Sequence, residues 1–128
     1  MDELDRPYHE VAQLFPLLQG EEFEQLKASI NENGLLEPIT LLADGTILDG
    51  RNRHRACIEM GEAPRFEQYQ GATDTASLWA YVKAKNKDRR HLTSSQWAAV
   101  AIGATELVER LEEEARESYR PRRLARHH

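Results

Sequence analysis

The break at Gly50 constrains this chain more than any other feature. Ile47-Leu48-Asp49 runs up to the glycine, and Arg51-Asn52-Arg53-His54-Arg55-Ala56-Cys57 follows with arginines at alternate positions. The pattern predicts a strand end, a tight turn and a helix of about residues 52–60 that buries Ala56, Cys57 and Met60 and stops at Gly61. A glycine lets backbone approach a ligand closely, and the start of the following helix offers N–H groups and the positive end of its dipole, a seat for an anion. Arg51 and Arg55 are four apart and share a helix face. Guanidinium forks match phosphate or carboxylate oxygens, so the turn predicts bound phosphate. The plainer alternative is three arginines on a solvated helix face.

The elements around the turn follow from periodicity. Phe23, Leu26 and Ile30 form one stripe behind Glu21, Glu22 and Glu24, with Gly34 as a stop, so residues 20–33 read as a helix. Pro38-Ile39-Thr40-Leu41-Leu42 and Thr46-Ile47-Leu48 read as hairpin strands joined by a two-residue Asp44-Gly45 turn. Arg65 to Tyr69 reads as a third strand, and a helix capped by Asp74 or Thr73 runs to about Lys85 with Leu78, Tyr81 and Val82 inward and Trp79 beside them. Thr93 and Gln96 form a capping box for a long helix to about Glu117, its buried stripe being Trp97, Val100, Ala101, Ala104, Leu107, Val108 and Leu111. Residues 1–13 read as an entry segment with one helical turn near His9 to Leu14, residues 14–117 as the domain, and residues 118–128 as a basic, disordered tail. Leu14, Phe15, Leu17 and Leu18 are expected to pack on the domain edge. The order of elements gives an α+β class, a small mixed sheet with helices around it and a long C-terminal helix.

Composition narrows the partners. A net charge of -5 argues against wholesale coating of nucleic acid, yet bases gather at Arg51 to Arg55, Lys83 to His91 and Arg116 to Arg126, where a phosphate ligand could be met locally. No apolar run approaches the ~20 residues that cross a bilayer, and the acidic Met1-Asp2-Glu3-Leu4-Asp5 is unlike a secretion signal, so no membrane partner and a cytoplasmic location are expected. One cysteine, Cys57, and no Cys/His zinc spacing predict neither a disulfide nor a structural metal, and Cys57 reads as a core residue. There is no P-loop. Asp49 is the only carboxylate in the glycine turn; it either accepts from turn or cap amides or serves as acid, base or metal ligand.

Three segments carry a family resemblance. Glu37-Pro38-Ile39 after Gly34-Leu35-Leu36, then Leu48 to Cys57, then Asn86-Lys87-Asp88-Arg89-Arg90-His91-Leu92-Thr93 with Gln96, resemble in order the three motif boxes of the ParB N-terminal domain, of the ParB/sulfiredoxin superfamily. The resemblance spans roughly residues 14–105 and implies that fold, together with a nucleotide switch, CTP or ATP with Mg2+, linked to DNA partition or transcriptional regulation. It places phosphate contacts on Gly50, Arg51, Asn52, Arg53, His54, Arg55, Asn86, Arg89 and Arg90, with Asn86 the candidate for a metal contact.

The chain departs from the family pattern in ways that bear on catalysis. The glutamate of the glycine-arginine box is Arg51 here and the first arginine is Asn52, while the glutamate associated with hydrolysis falls on Lys85. Lysine cannot polarise water as a carboxylate does, and it repels magnesium. The sulfiredoxin cysteine position is occupied by Arg51, which removes the expectation of sulfinic acid reductase activity. A metal-dependent nuclease or nucleotide-dependent phosphotransferase using Asp49 is the alternative, and a purely structural domain whose arginines pair with its own acids is the third. No recognition helix follows Leu111, so the resemblance implies a stand-alone or truncated member of plasmid or phage origin that meets DNA directly or through a partner protein. The long last helix could also pair with a second copy, giving a homodimer.

Overall fold

The computed structural model describes residues 6–87 and 92–125, with side chains described to residue 118. The chain forms two compact units that divide between Ala72 and Thr73, inside what the sequence presents as one domain of residues 14–117.

In the first unit, α1 (Gly20–Asn33) turns Phe23 and Ile30 inward against Ala56 and Cys57 of α2 (Arg51–Met60), with Leu18, Leu26, Leu35 and Met60 packed around them. This is the stripe the 3.6-residue period required. The sheet has three strands, β1 (Ile39–Leu41), β2 (Ile47–Asp49) and β3 (Phe66–Gln68), in the order β2-β1-β3. The β1–β2 pair is antiparallel and the β1–β3 pair parallel, so the sheet is mixed as expected. Ile39, Leu41 and Ile47 make a second apolar cluster with Tyr8, Leu35 and Phe66.

The hairpin differs from its expected form. Leu42 N–H donates to Thr46 O at 2.9 Å and Gly45 N–H to Leu42 O at 2.9 Å, so the loop is the three residues Ala43-Asp44-Gly45 and not a two-residue Asp44-Gly45 turn. Asp44 Oδ1 accepts from Thr46 N–H at 2.9 Å, while Gly45 (φ 89°) makes the positive-φ step that closes three-residue loops. The register then slips: Thr40 faces Asp49 and Leu41 faces Ile47, leaving Leu48 as an extra residue. Bulges of this kind re-aim side chains beside functional sites. Here Ile47, Leu48 and Asp49 are all buried, and Asp49 is delivered inward immediately before Gly50.

The entry segment contributes more than its sequence suggested. A short 3₁₀ turn, Glu10–Gln13, is capped by His9, whose Nδ1 accepts from Val11 N–H at 3.0 Å, and buries Val11 and Ala12. Before it, Tyr8 pairs in parallel with Ile47: Ile47 N–H donates to Pro7 O and His9 N–H to Ile47 O, each at 2.9 Å, which extends the sheet beyond β2. Phe15 is buried as expected, whereas Leu17 is exposed.

The second unit holds α3 (Thr75–Lys87) and α4 (Ser94–Ala125). Asp74 caps α3 by accepting from Ser77 N–H at 3.2 Å and from its hydroxyl at 2.6 Å, and Leu78 and Val82 are the buried face. The helix passes its expected end at Lys85 and includes Asn86. Thr93 and Gln96 make both bonds of the capping box, Thr93 N–H to Gln96 Oε1 at 2.8 Å and Gln96 N–H to Thr93 Oγ1 at 3.1 Å. Val100, Ala104 and Leu107 of α4 are buried, but Ala101 is exposed. The helix does not stop at Glu117; helical backbone continues to Ala125, so residues 118–125 are not the disordered tail the arginines and Pro121 suggested. Before Glu117 the pairs Arg110–Glu114 (3.1 Å) and Arg116–Glu113 (2.8 Å) support a charged stretch of good helix formers. Among the described residues no helix is long and apolar enough to cross a membrane.

Candidate functional site

Gly50 is the N-cap of α2 with φ 107° and ψ 24°, a conformation that a side chain resists, and a glycine makes no cap bond of its own. The start of a helix carries backbone N–H groups and the positive end of its dipole, the features an anion site draws on. The helix begins at Arg51, one residue earlier than expected.

Arg53 folds back over this turn. A Cβ built on Gly50 would lie 3.1 Å from Arg53 Nη2 and 3.1 Å from Ile39 Cγ1, so the glycine is needed for the guanidinium to approach. Arg53 Nη2 donates to Asp49 Oδ2 at 2.9 Å, and Nη1 donates to Glu37 O at 3.1 Å with the Glu37 carboxylate 3.6 Å away. The Arg53 side chain is 11% exposed and that of Asp49 3%. A carboxylate so enclosed beside a guanidinium is occupied in orienting it, a use neither reading of Asp49 from the sequence included. Charge-assisted bonds of this kind fix geometry as well as adding stability.

The other two arginines face the stretch between the 3₁₀ turn and α1. Arg51 Nη2 donates to Phe15 O at 2.6 Å, and Arg55 Nη1 donates to Leu18 O at 3.3 Å and to Asn52 Oδ1 at 3.0 Å. Asn52 Oδ1 also accepts from Leu18 N–H at 3.2 Å. The Arg55 guanidinium lies 4.4 Å from the centroid of the Phe23 ring, a cation–π contact. These contacts replace the solvated arginine face allowed by the sequence.

His54 sits inside the fold. It is 1% exposed, its Nδ1 is 2.8 Å from Tyr8 Oη, and the two rings meet edge-on at 5.5 Å. Burial raises the Tyr8 hydroxyl above its ordinary value of 10.0, against the opposing pull of the Arg55 and Arg51 charges. Cys57 is fully buried and its thiol is pushed up by burial foremost, as suits a core residue.

Of the third box, Asn86 belongs to α3, where its Nδ2 donates to Val82 O at 2.8 Å, and Lys85 Nζ lies 5.6 Å from the Tyr81 ring centroid. Arg89 and Arg90 lie outside the described residues. Among the described residues no group of three or more His, Cys, Asp or Glu side chains could hold a metal ion.

Sequence reasoning missed Phe15 and Leu18 as partners of the arginines, because they contribute backbone groups that carry no residue signature. It missed the Tyr8–His54 pair for a related reason: the bridge that brings Tyr8 to β2 has no periodicity of its own. Glu37 was visible only as part of a motif.

No protein-family model matches the chain, and no curated protein does. Among solved structures it is similar to the C2221 crystal form of a Pnob8-like ParB-N domain, with a TM-score of 0.68 and 15% sequence identity. The match covers 91% of this chain and 47% of that one, so the chain spans about half the length of the structure it resembles. The α+β arrangement of a three-stranded mixed sheet with four α-helices is thus a ParB N-terminal-like fold, as the three boxes implied.

Proposed function

We propose that this ParB-like domain binds a nucleotide, CTP or ATP, whose phosphates sit on the Gly50–Arg55 turn, and that it acts in the cytoplasm in DNA partition or transcriptional regulation, meeting DNA directly or through a partner protein. The observation that carries the reading is the junction at Gly50: a helix start at a left-handed glycine, with the Arg53 guanidinium held over it by Asp49 and Glu37. Backbone N–H groups and guanidinium donors are what phosphate oxygens accept, so the donor set fits the group. Mg2+ would arrive with the phosphates, shielding charge the arginines do not reach. Asn86, Arg89 and Arg90 enter on the motif resemblance alone.

Within this reading each side chain of the turn has a task. Gly50 admits the phosphate to the backbone, Arg53 supplies positive charge at a fixed place, and Arg51 and Arg55 add donors from the side of the entry segment. His54 braces α2 from within through Tyr8.

Calorimetric titration with CTP, ATP and GTP, each with and without Mg2+, tests the reading beside Arg53→Ala. The expected result is micromolar binding of one nucleotide that the folded variant lacks. Equal binding by the variant, or no binding of any nucleotide by a folded parent, rejects it and leaves the arginines as internal ties of the fold.

A further inference from the structure

The two outer arginines of the turn and the asparagine between them already have occupants. Arg51 donates to Phe15 O, Arg55 to Leu18 O, and Asn52 accepts Leu18 N–H, so three side chains from the first turns of α2 clasp one strap of chain, Phe15–Leu18, just before α1. The clasp is made to the strap's backbone groups, and its residues lie 34 to 37 positions from their partners along the chain. An anion on the Gly50 turn draws on the same guanidinium N–H groups. Phosphate oxygens are charged acceptors and the strap's carbonyls are neutral ones; a bond to the charged acceptor is the stronger.

We infer that the strap Phe15–Leu18 is the internal competitor of the turn's ligand: a di- or triphosphate takes over Arg51 and Arg55, and the strap is released. This rests on the phosphate reading above and adds a direction to it. Once Arg55 turns toward phosphate, Asn52 loses the donor that helps orient its amide toward Leu18 N–H, so the three bonds fail together. Coupling of this kind is reciprocal: if the ligand loosens the strap, loosening the strap tightens the ligand. The strap leads directly into the 3₁₀ turn and the Tyr8–Ile47 bridge, so its release carries occupancy of the turn to the N-terminal edge of the sheet.

The test follows hydrogen exchange of the Leu18 amide by NMR in the full chain while CTP, ATP or inorganic tripolyphosphate is added, with binding measured separately by calorimetry. Release predicts that exchange at Leu18 accelerates by about tenfold or more at saturation. Leu18→Pro removes the N–H that Asn52 accepts and should tighten binding by roughly fivefold, the worth of one net hydrogen bond. Binding by the parent with Leu18 exchange unchanged or slowed overturns the inference and spares the phosphate reading. No binding by either protein overturns both. Should Leu18→Pro fail to fold, the parent's exchange measurement decides alone.

Discussion

Replacing Asp49 by asparagine exchanges a carboxylate for an amide of the same shape at a position whose side chain is 3% exposed and 2.9 Å from Arg53 Nη2. Asparagine keeps a carbonyl acceptor for the guanidinium and loses only the charge of the carboxylate, so the substitution should cost a fraction of the ~3–5 kcal/mol of a broken buried pair, about 1–1.5 kcal/mol. Asp49→Ala removes the acceptor altogether and strands a largely enclosed guanidinium; breaking a buried pair costs about 3–5 kcal/mol, and the remaining bond to Glu37 O and the nearby Glu37 carboxylate reduce this to about 2–3. Urea denaturation of parent, Asp49→Asn and Asp49→Ala gives the two differences, provided the slope against denaturant is unchanged. Arg53→Met supplies the control. In that background Asp49→Asn should cost measurably less, because the guanidinium that the carboxylate faces is gone. If Asp49→Asn costs less than about 0.5 kcal/mol in the parent, the scale of an exposed pair, or costs the same in both backgrounds, Asp49 does not orient Arg53 and the account of the turn is wrong. A nuclease or phosphotransferase relying on Asp49 makes the opposite forecast, full stability with lost turnover.

Three further outcomes are expected. Gly50→Ala places a Cβ 3.1 Å from Ile39 Cγ1 and 3.3 Å from Ile39 Cα at φ 107°, so it should destabilise the fold by about 1–3 kcal/mol in thermal or chemical unfolding. His9 has its proton affinity lowered, by burial first, with Glu10 and Asp44 pulling the other way. The unfolded chain therefore takes up this proton before the folded one, so stability should fall as pH drops below about 6.5, and the difference between parent and His9→Asn in denaturation at pH 7.5 and 5.5 isolates that loss. Cys57, buried with its thiol raised, should react with a thiol reagent only at the rate of unfolding, and reaction of the folded chain would contradict its place in the core.

Much of the fold could be read from residue order because its signals are local. The stripe Phe23, Leu26, Ile30 and the capping box Thr93–Gln96 state their elements within one or two turns, and the glycines at 34, 50 and 61 mark where helices begin or end. What failed depended on partners distant in sequence or on a competition between good signals. Asp44-Gly45 suits a two-residue turn, but the Asp44 bond to Thr46 N–H and the closure of Leu42 on Thr46 favour a loop one residue longer. Arginines with a proline suggest a tail after Glu117, yet helical backbone runs on to Ala125. In the site, residue types raise the expectation of phosphate at Gly50, Arg51, Arg53 and Arg55, yet only the fold brings Arg53 onto Asp49 and turns Arg51 and Arg55 toward Phe15 and Leu18. The burial of His54 beside Tyr8 needs a contact 46 positions long, which no window of sequence contains.

The mixed sheet also sets an order of assembly. Leu41 meets Ile47 six positions away, a loop that closes quickly, while Ile39 meets Phe66 twenty-seven positions away and must wait for α2 to form between them. Gly50 stands at the seam of these two events, with the early hairpin before it and the slower crossover after it. Substitutions in the Ala43–Gly45 loop should therefore slow folding, and substitutions along the β1–β3 contact should mainly hasten unfolding. The turn gains its full shape only when the crossover has closed, so the geometry around Gly50 is among the last features the folding chain acquires.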